Sequence, residues 1–522
     1  MTRAVATVGL VWLFVQCSGD DTAPGKTGSS SGGAGSSSSS SGGAPDGGPS
    51  AEGGAARGKP NIVFILADDL ALNLLPFMPH VLEMQKNGLT FVNYFVSDSL
   101  CCPSRSSIYT GRFPHDTGVF TNGGDDGGYA QFKKMGNETA TFGSALQNAG
   151  YRTMMMGKYL NGYEPVAAND AGTPVPPGWT EWAVAGAAYK ELNYDLNQTG
   201  TVHHYGKADT DYLTDVIAGL GVGFVKADVG KPSAQPFLLE MATFAPHSPF
   251  TPAPRDVNLF PGLVAPRTPA FDAAPDADAV TWLKATPALT KVNKDKIDAN
   301  FRERAQAVQA IDKAIGDLQA AVAAAGQADN TYFVFSSDNG FHMGEHSLRP
   351  GKQTAFDTDI HVPLIVTGPG VPKGAVADQI AQNVDLCSTF AELGGGTPIA
   401  TQNGHSLVAL LRGETPADWR TAALIEHHGS SFDPTDPDAP EELSGDPPTY
   451  NALRTKDVVY IEYAGGEVEY HDRRTDPDEL HNTAKALTAG QKAALHTTLE
   501  AMKTCHDPAA CWAAQHLAPG AP

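Results

Sequence analysis

Asn61-Ile62-Val63-Phe64-Ile65-Leu66 is an unbroken apolar run of strand length, and it ends in Ala67-Asp68-Asp69. A run without alternation suits a strand covered on both faces, as in parallel sheets. The two carboxylates at its end fall where open α/β sheets bind their ligands. The same pattern recurs downstream. Residues 141–149 read as a short helix stopped by Gly150, and 151–156 as a strand delivering Gly157-Lys158. Residues 237–244 deliver Ala245-Pro246-His247, and 331–336 deliver Ser337-Asp338-Asn339-Gly340. Between them Phe301, Ala305, Val308, Ile311, Ile315, Leu318 and Val322 recur at spacings of three and four, the stripe of a long amphipathic helix. Residues 361–367 give a further strand closed by Gly368-Pro369-Gly370. Strands alternating with helices predict an α/β fold, a mostly parallel sheet sandwiched by helices with its polar residues gathered at one edge.

A second stretch, Ser99-Leu100-Cys101-Cys102-Pro103-Ser104-Arg105, carries the candidate nucleophile. Proline is favoured at the first helical position, so the cysteines are expected at a helix N-terminus, where free N–H groups and the positive dipole end attract anions. The Pro- and Gly-rich residues 164–231 and 251–293 are expected as long loops. After about Arg420 the pattern changes. Val458–Tyr463, Gly465-Gly466 and Glu467-Val468-Glu469-Tyr470 give a hairpin signal, and 488–503 a helix, together a smaller α+β unit.

The chain has 522 residues, enough for two or more domains. Its 36 Lys and Arg against 58 Asp and Glu leave a net charge of −22. That balance argues against nucleic acid as a partner, and any positive charge for an anionic substrate has to be local. Six cysteines are too few for a disulfide scaffold, although Cys505 and Cys511 could close a short loop in an oxidising compartment. Residues 1–17 read as an export signal, with Arg3 ahead of the apolar Val8-Gly9-Leu10-Val11-Trp12-Leu13-Phe14-Val15. Cys17 resembles the lipidated cysteine of bacterial lipoproteins, but Gln16 stands where that motif takes a small residue, so a lipoprotein signal with a membrane tether and a plain secretory signal both stand. Residues 18–58, rich in Gly, Ser, Ala and Pro, read as a disordered linker. The division expected is therefore signal 1–17, linker 18–58, catalytic domain 59–419 and C-terminal subdomain 420–522, in a protein that is exported, whether periplasmic, on the cell surface or secreted.

From residue 59 to about 484 these residues resemble the type I sulfatases of the alkaline-phosphatase superfamily. Cys101-Cys102-Pro103-Ser104-Arg105 matches the signature Cys-x-Pro-Ser-Arg, continued by Tyr109-Thr110-Gly111-Arg112. Asp68-Asp69, Gly157-Lys158, Pro246-His247 and Ser337-Asp338-Asn339-Gly340 follow in the family's order. Lys158-Tyr159-Leu160-Asn161, Cys101-Cys102-Pro103 and Pro246-His247-Ser248-Pro249 resemble the N-acetylglucosamine-6-sulfatase and heparan endosulfatase branch.

The resemblance implies that a formylglycine-generating enzyme oxidises Cys101 to an aldehyde. One hydroxyl of the hydrated aldehyde attacks sulfur and releases the alcohol. The other loses its proton, and sulfate leaves as the aldehyde re-forms. Asp68, Asp69, Asp338 and Asn339, with an oxygen on the modified Cys101, form an all-oxygen set for Ca²⁺ rather than zinc, with Mg²⁺ the poorer fit. Arg105, Lys158 and Lys352 supply the cations around sulfate, and His247 the acid for the leaving alcohol. Asp338 is a proton acceptor or solely a ligand. Asn161 and His115 are candidate substrate contacts. Many sulfatases carry a histidine two residues after the lysine corresponding to Lys158; here Leu160 stands there, which leaves His115, His247 or water to expel sulfate. The substrate implied is a sulfated small molecule or glycan of the 6-O-sulfated N-acetylglucosamine type. A phosphodiesterase or phosphonate monoester hydrolase of the same superfamily, and a non-catalytic glycan-binding lipoprotein, are the other readings.

Overall fold

The computed structural model describes residues 58–165, 175–227, 234–429 and 439–522. The expected signal and all of the linker but Gly58 lie outside the described residues. Asn61–Ala67 is buried along its whole length. It lies inside a ten-stranded sheet that runs, edge to edge, Ala375–Ala377, Leu89–Phe91, Leu364–Thr367, Thr331–Ser337, Asn61–Ala67, Phe237–Ala242, Arg152–Lys158, Glu181–Ala185, Tyr194–Gln198, Thr201–Tyr205. Asn61–Ala67 pairs in parallel with both neighbours, and Phe237–Ala242 in parallel with Arg152–Lys158. These four strands therefore end at one edge of the sheet, and Asp68-Asp69, Lys158, His247 and Asp338-Asn339 emerge together. Apolar side chains fill both faces. On one face Phe64, Tyr109, Phe142 and Phe390 meet; on the other Ile65, Met241, Val308 and Ile311 do.

The expected strand at 361–367 begins only at Leu364 and runs antiparallel to Thr331–Ser337. Pro363 precedes it and has no N–H to give a ladder. The stretch 164–231, expected as loop, holds three strands of the sheet and the helix Leu213–Lys226. Its edge strand Thr201–Tyr205 is partly exposed and polar, so no apolar run announces it. Glycines 219, 221 and 223 disguise the helix. At Gly221 an added Cβ would come within 2.9 Å of the Met156 methyl and 3.1 Å of a Leu318 methyl, so a larger residue would have to push those side chains aside.

The helix Cys101–Thr110 is buried at every position and ends at Gly111, whose φ of 70° is left-handed. Pro103 sits third in it, not first. The first-turn N–H groups all lack helical partners, so proline is tolerated throughout that turn, and both cysteines take helical positions ahead of it. Towards the C-terminus Ala423–His427, Tyr450–Arg454, Val458–Tyr463 and Val468–Asp472 form an antiparallel sheet. The helix Ala489–Lys503, capped by Thr488, packs Leu495, Leu499 and Met502 among Leu424, Leu453 and Phe113. Cys505 and Cys511 are disulfide-bonded.

Glu240 sits wholly buried on a central strand, where the Tyr109 hydroxyl donates to its Oε1 at 3.1 Å. Burial pushes its carboxyl up to about 8, against the weaker opposing effects of Tyr109 and Arg105. An acid whose pKa is raised by folding opposes the fold increasingly as pH climbs from its ordinary value towards the raised one. Glu240→Gln, which keeps an acceptor for Tyr109, is therefore expected to match the wild type near pH 4.5. By pH 8 it should exceed it by roughly 4 kcal/mol, measured as the difference in denaturation midpoints across that range. A pH-independent difference would contradict the buried, neutral carboxyl.

Candidate active site

Asp68 and Asp69 leave the end of the central strand together, and Asp69 adopts a φ of 60°, rare for a residue with a Cβ. Its N–H donates to Asp338 Oδ1 at 3.1 Å, and its carbonyl accepts from Arg304 Nη2 at 2.5 Å. Gly157, with a φ of 92°, precedes Lys158; a Cβ there would fall 1.8 Å from the Ala242 carbonyl oxygen, so glycine alone allows the chain to deliver the lysine from that strand end.

Cys101, at the first position of its helix, points into this edge. Its thiol donates to Asp68 Oδ1 at 3.1 Å and lies 3.7 Å from Asp69 Oδ1. Lys352 Nζ reaches Cys101 Sγ at 2.8 Å and Asp69 Oδ1 at 2.7 Å. Lys158 Nζ donates to Asp68 Oδ2 at 2.7 Å. Arg105 donates through Nε to Asp338 Oδ2 at 2.7 Å and through Nη1 to the Lys158 carbonyl at 2.8 Å. Asn339 Nδ2 donates to Asp69 Oδ1 at 2.7 Å. His247 sets Nδ1 on the Ser248 carbonyl at 2.6 Å and turns Nε2 towards Asp69, 3.6 Å from Oδ2. Three carboxylates and three cations thus share a buried space. Burial would raise the Asp338 carboxyl, but the charges of Arg105, Lys158 and Lys352 outweigh it and hold it below the usual carboxylate range, so it stays an acceptor. Burial pushes the neighbouring Cys102 thiol up to about 12, which leaves it neutral packing.

The donors fit a hard divalent cation. Asp68, Asp69, Cys101 and Asp338 each offer an atom within 4.8 Å of the others. Asn339 Oδ1 is a buried oxygen with no hydrogen-bond partner among the described residues. Three carboxylates and an amide oxygen are the ligands such an ion prefers.

The expected site residues converge with two qualifications. Asn161 stands to one side, in a cavity of about 270 Å³ shared with Lys158 and Tyr189, and donates to the Tyr189 hydroxyl at 3.2 Å. His115 is not in the cluster, which corrects its place as a substrate contact or sulfate-expelling group. Its Nδ1 sits 2.8 Å from the Glu426 carboxylate and its Nε2 2.8 Å from the Cys505 carbonyl, so both ring nitrogens are committed to the C-terminal segments. A second cavity, about 300 Å³, opens over Asp69, His247 and Lys352 and is flanked by Lys296, Asn300 and Glu303 of the long helix Lys291–Ala324.

Two contributors escaped the sequence reading. Arg304 is buried, packs over the Phe341 ring at 4.3 Å and binds the Asp69 carbonyl. Its signal was available: it lies three residues after Phe301 and four before Val308, on the apolar stripe where a cation needs a partner. Tyr189 places its ring 4.9 Å from Lys158 Nζ and 4.6 Å from the His247 ring, and it came from the stretch expected as loop.

Residues 60–396 match the family described as Sulfatase. The chain belongs to the sulfatase family. Residues 344–504 match a second description, N-sulphoglucosamine sulphohydrolase, C-terminal. The sulfatase is 32% identical over 491 residues to the N-acetylglucosamine-6-sulfatase of Capra hircus, covering 88% of this chain and 87% of that one. It is 35% identical over 378 residues to the extracellular sulfatase SULF-1 homolog of Drosophila melanogaster, covering 71% of this chain and 33% of that one. A protein solved in complex with its substrate D-glucosamine-2-N,6-O-disulfate shares the fold, with a TM-score of 0.66 at 24% identity over 85% of this chain and 97% of that one. The sulfatase is accordingly a sulfuric ester hydrolase.

Lys352 is the cation that touches both Cys101 and Asp69. Lys352→Met is expected to lower kcat by about 10²–10³-fold and to lower the melting temperature as well, because buried Asp69 loses its partner. Turnover by that variant at the wild-type rate would remove Lys352 from the reacting centre.

Proposed function

We propose that this sulfatase hydrolyses sulfate monoesters of sugars, of the 6-O-sulfated N-acetylglucosamine type, using a formylglycine made from Cys101. The observation that carries the reading is the seat of Cys101 Sγ, held between Asp68, Asp69 and Lys352 at the first turn of a buried helix. The hydrated aldehyde would supply two hydroxyls on one carbon, one to attack sulfur and one whose loss of a proton lets sulfate depart. Asp68, Asp69, Asp338 and Asn339 would hold Ca²⁺, which offsets the negative charge and makes a neighbouring hydroxyl more acidic. Mg²⁺ is the poorer fit, because three carboxylates and an amide form a dedicated protein cage that the smaller ion seldom uses.

The chain's own groups divide the remaining work. Lys158, Lys352 and Arg105 bring positive charge to the sulfate oxygens of an otherwise acidic protein. Asp338, kept ionised by those cations, accepts the attacking hydroxyl's proton. His247 Nε2 hands a proton to the leaving alcohol oxygen. With His115 committed elsewhere and Leu160 apolar, His247 or water serves the expulsion of sulfate. The cavity beside Asp69, His247 and Lys352 has room for a sugar ring, and Asn161 with Tyr189 bounds the other side of Lys158. The goat relative's name and the disulfated glucosamine bound by the structural neighbour support an amino sugar as substrate.

Export is supported by the Drosophila relative, named extracellular, and by the Cys505–Cys511 disulfide. Among the described residues no helix is long and apolar enough to cross a membrane. A lipid on Cys17 would tether the enzyme to a periplasmic or cell-surface membrane, and a formylglycine-generating enzyme is its maturation partner.

Mass spectrometry of the peptide containing Cys101, from the native host, is expected to find one sulfur and two hydrogens exchanged for one oxygen. An intact thiol in active enzyme would overturn the nucleophile. Matched aryl sulfate and aryl phosphate esters, compared by kcat/KM, are expected to favour sulfate. Faster phosphate cleavage would instead mark a phosphodiesterase or phosphonate monoester hydrolase.

A further inference from the structure

We propose a second metal site, for zinc, where His115 and Asp116 meet His506. His115 and Asp116 lie on the short helix Pro114–Thr117, just beyond the helix that carries Cys101, and His506 follows the disulfide-bonded Cys505. The three residues each present one ligand atom within 4.8 Å of the others. His506 Nδ1 lies 2.7 Å from Asp116 Oδ1, and His115 Nε2 lies 3.7 Å from Asp116 Oδ2.

The cluster is held from outside its own segments, unlike an ordinary surface ion pair. Both Glu426 oxygens receive His115 Nδ1, at 2.8 and 2.9 Å, which fixes the ring with Nε2 2.8 Å from the Cys505 carbonyl oxygen and 3.7 Å from Asp116 Oδ2. A carboxylate behind a histidine in this way is the usual support of a zinc-bound imidazole. Asn403 Nδ2 donates to Asp116 Oδ2 at 2.8 Å and fixes the second ligand. His115 and Asp116 side chains are 10% exposed and His506 is 69% exposed, so an ion has two mostly buried ligands, one exposed ligand and a side open to water.

The donor set selects the ion. Two imidazole nitrogens and one carboxylate oxygen suit zinc, whereas the all-oxygen site beside Cys101 suits a hard cation. On binding, zinc replaces the proton that His115 Nε2 shares with the Cys505 carbonyl oxygen, 2.8 Å away, and that proton passes to solvent. The site would staple the C-terminal disulfide loop to the segment that follows the nucleophile's helix. Its contribution is to stability rather than to the reaction.

The test uses the full chain, freed of transition metals with a chelator and kept in excess Ca²⁺. Calorimetric titration with Zn²⁺ alone is expected to find one site whose binding raises the melting temperature. His506→Ala is expected to lose that site and the zinc-dependent rise, with aryl sulfate hydrolysis unchanged. Glu426→Gln, which leaves the three ligands in place, is expected to weaken zinc about 10–100-fold. Zinc binding identical in wild type and His506→Ala, or no zinc uptake by the wild type, would overturn the site.

Discussion

Asp68, Asp69 and Asp338 carry three carboxylates into a space nearly closed to water, and Arg105, Lys158 and Lys352 answer them one for one. Each of these charges alone would be costly to bury, and removing one leaves its partner uncompensated. The cluster is tolerable because parallel strands end side by side and present their polar residues at a single edge. Every surrounding feature serves that juxtaposition. The long helix sends Arg304 to the Asp69 carbonyl, glycine at 157 lets Lys158 emerge, and the Cys101 helix is buried on all sides so that its first turn cannot wander.

The same arrangement separates two kinds of ligand chemistry. At the sheet edge oxygen donors crowd together with cations, a setting for a divalent ion and an anionic ester. Where His115 meets the C-terminal segments, two imidazoles join one carboxylate and the surroundings open to solvent. His115 stands only a few residues beyond the nucleophile's helix, yet Glu426 and the Cys505 carbonyl draw it to a different task.

Much of the sheet could be read locally, because a strand buried on both faces is an apolar run, and Asn61–Ala67, Phe237–Ala242 and Thr331–Ser337 are such runs. The long helix was legible in its stripe for the same reason. Tyr194–Gln198 and Thr201–Tyr205 were not, since strands near an exposed edge need no continuous apolar face. Leu213–Lys226 was hidden by three glycines, of which Gly221 alone packs against neighbours, Met156 and Leu318. Of the site, the motif residues were legible, whereas Arg304 and Tyr189 act through what they face in space.

By itself the sequence determined the buried central strands, the long helix, the order of the polar strand ends and the family signature around Cys101, all properties of short contiguous stretches. Tertiary structure alone decided which charge answers which: Lys158 with Asp68, Lys352 with Asp69 and Cys101, Arg105 with Asp338. These partners stand 90, 283, 251 and 233 residues apart in the chain. Coulomb attraction and hydrogen bonding depend on distance in space, and strand order, which no single stretch encodes, sets that distance.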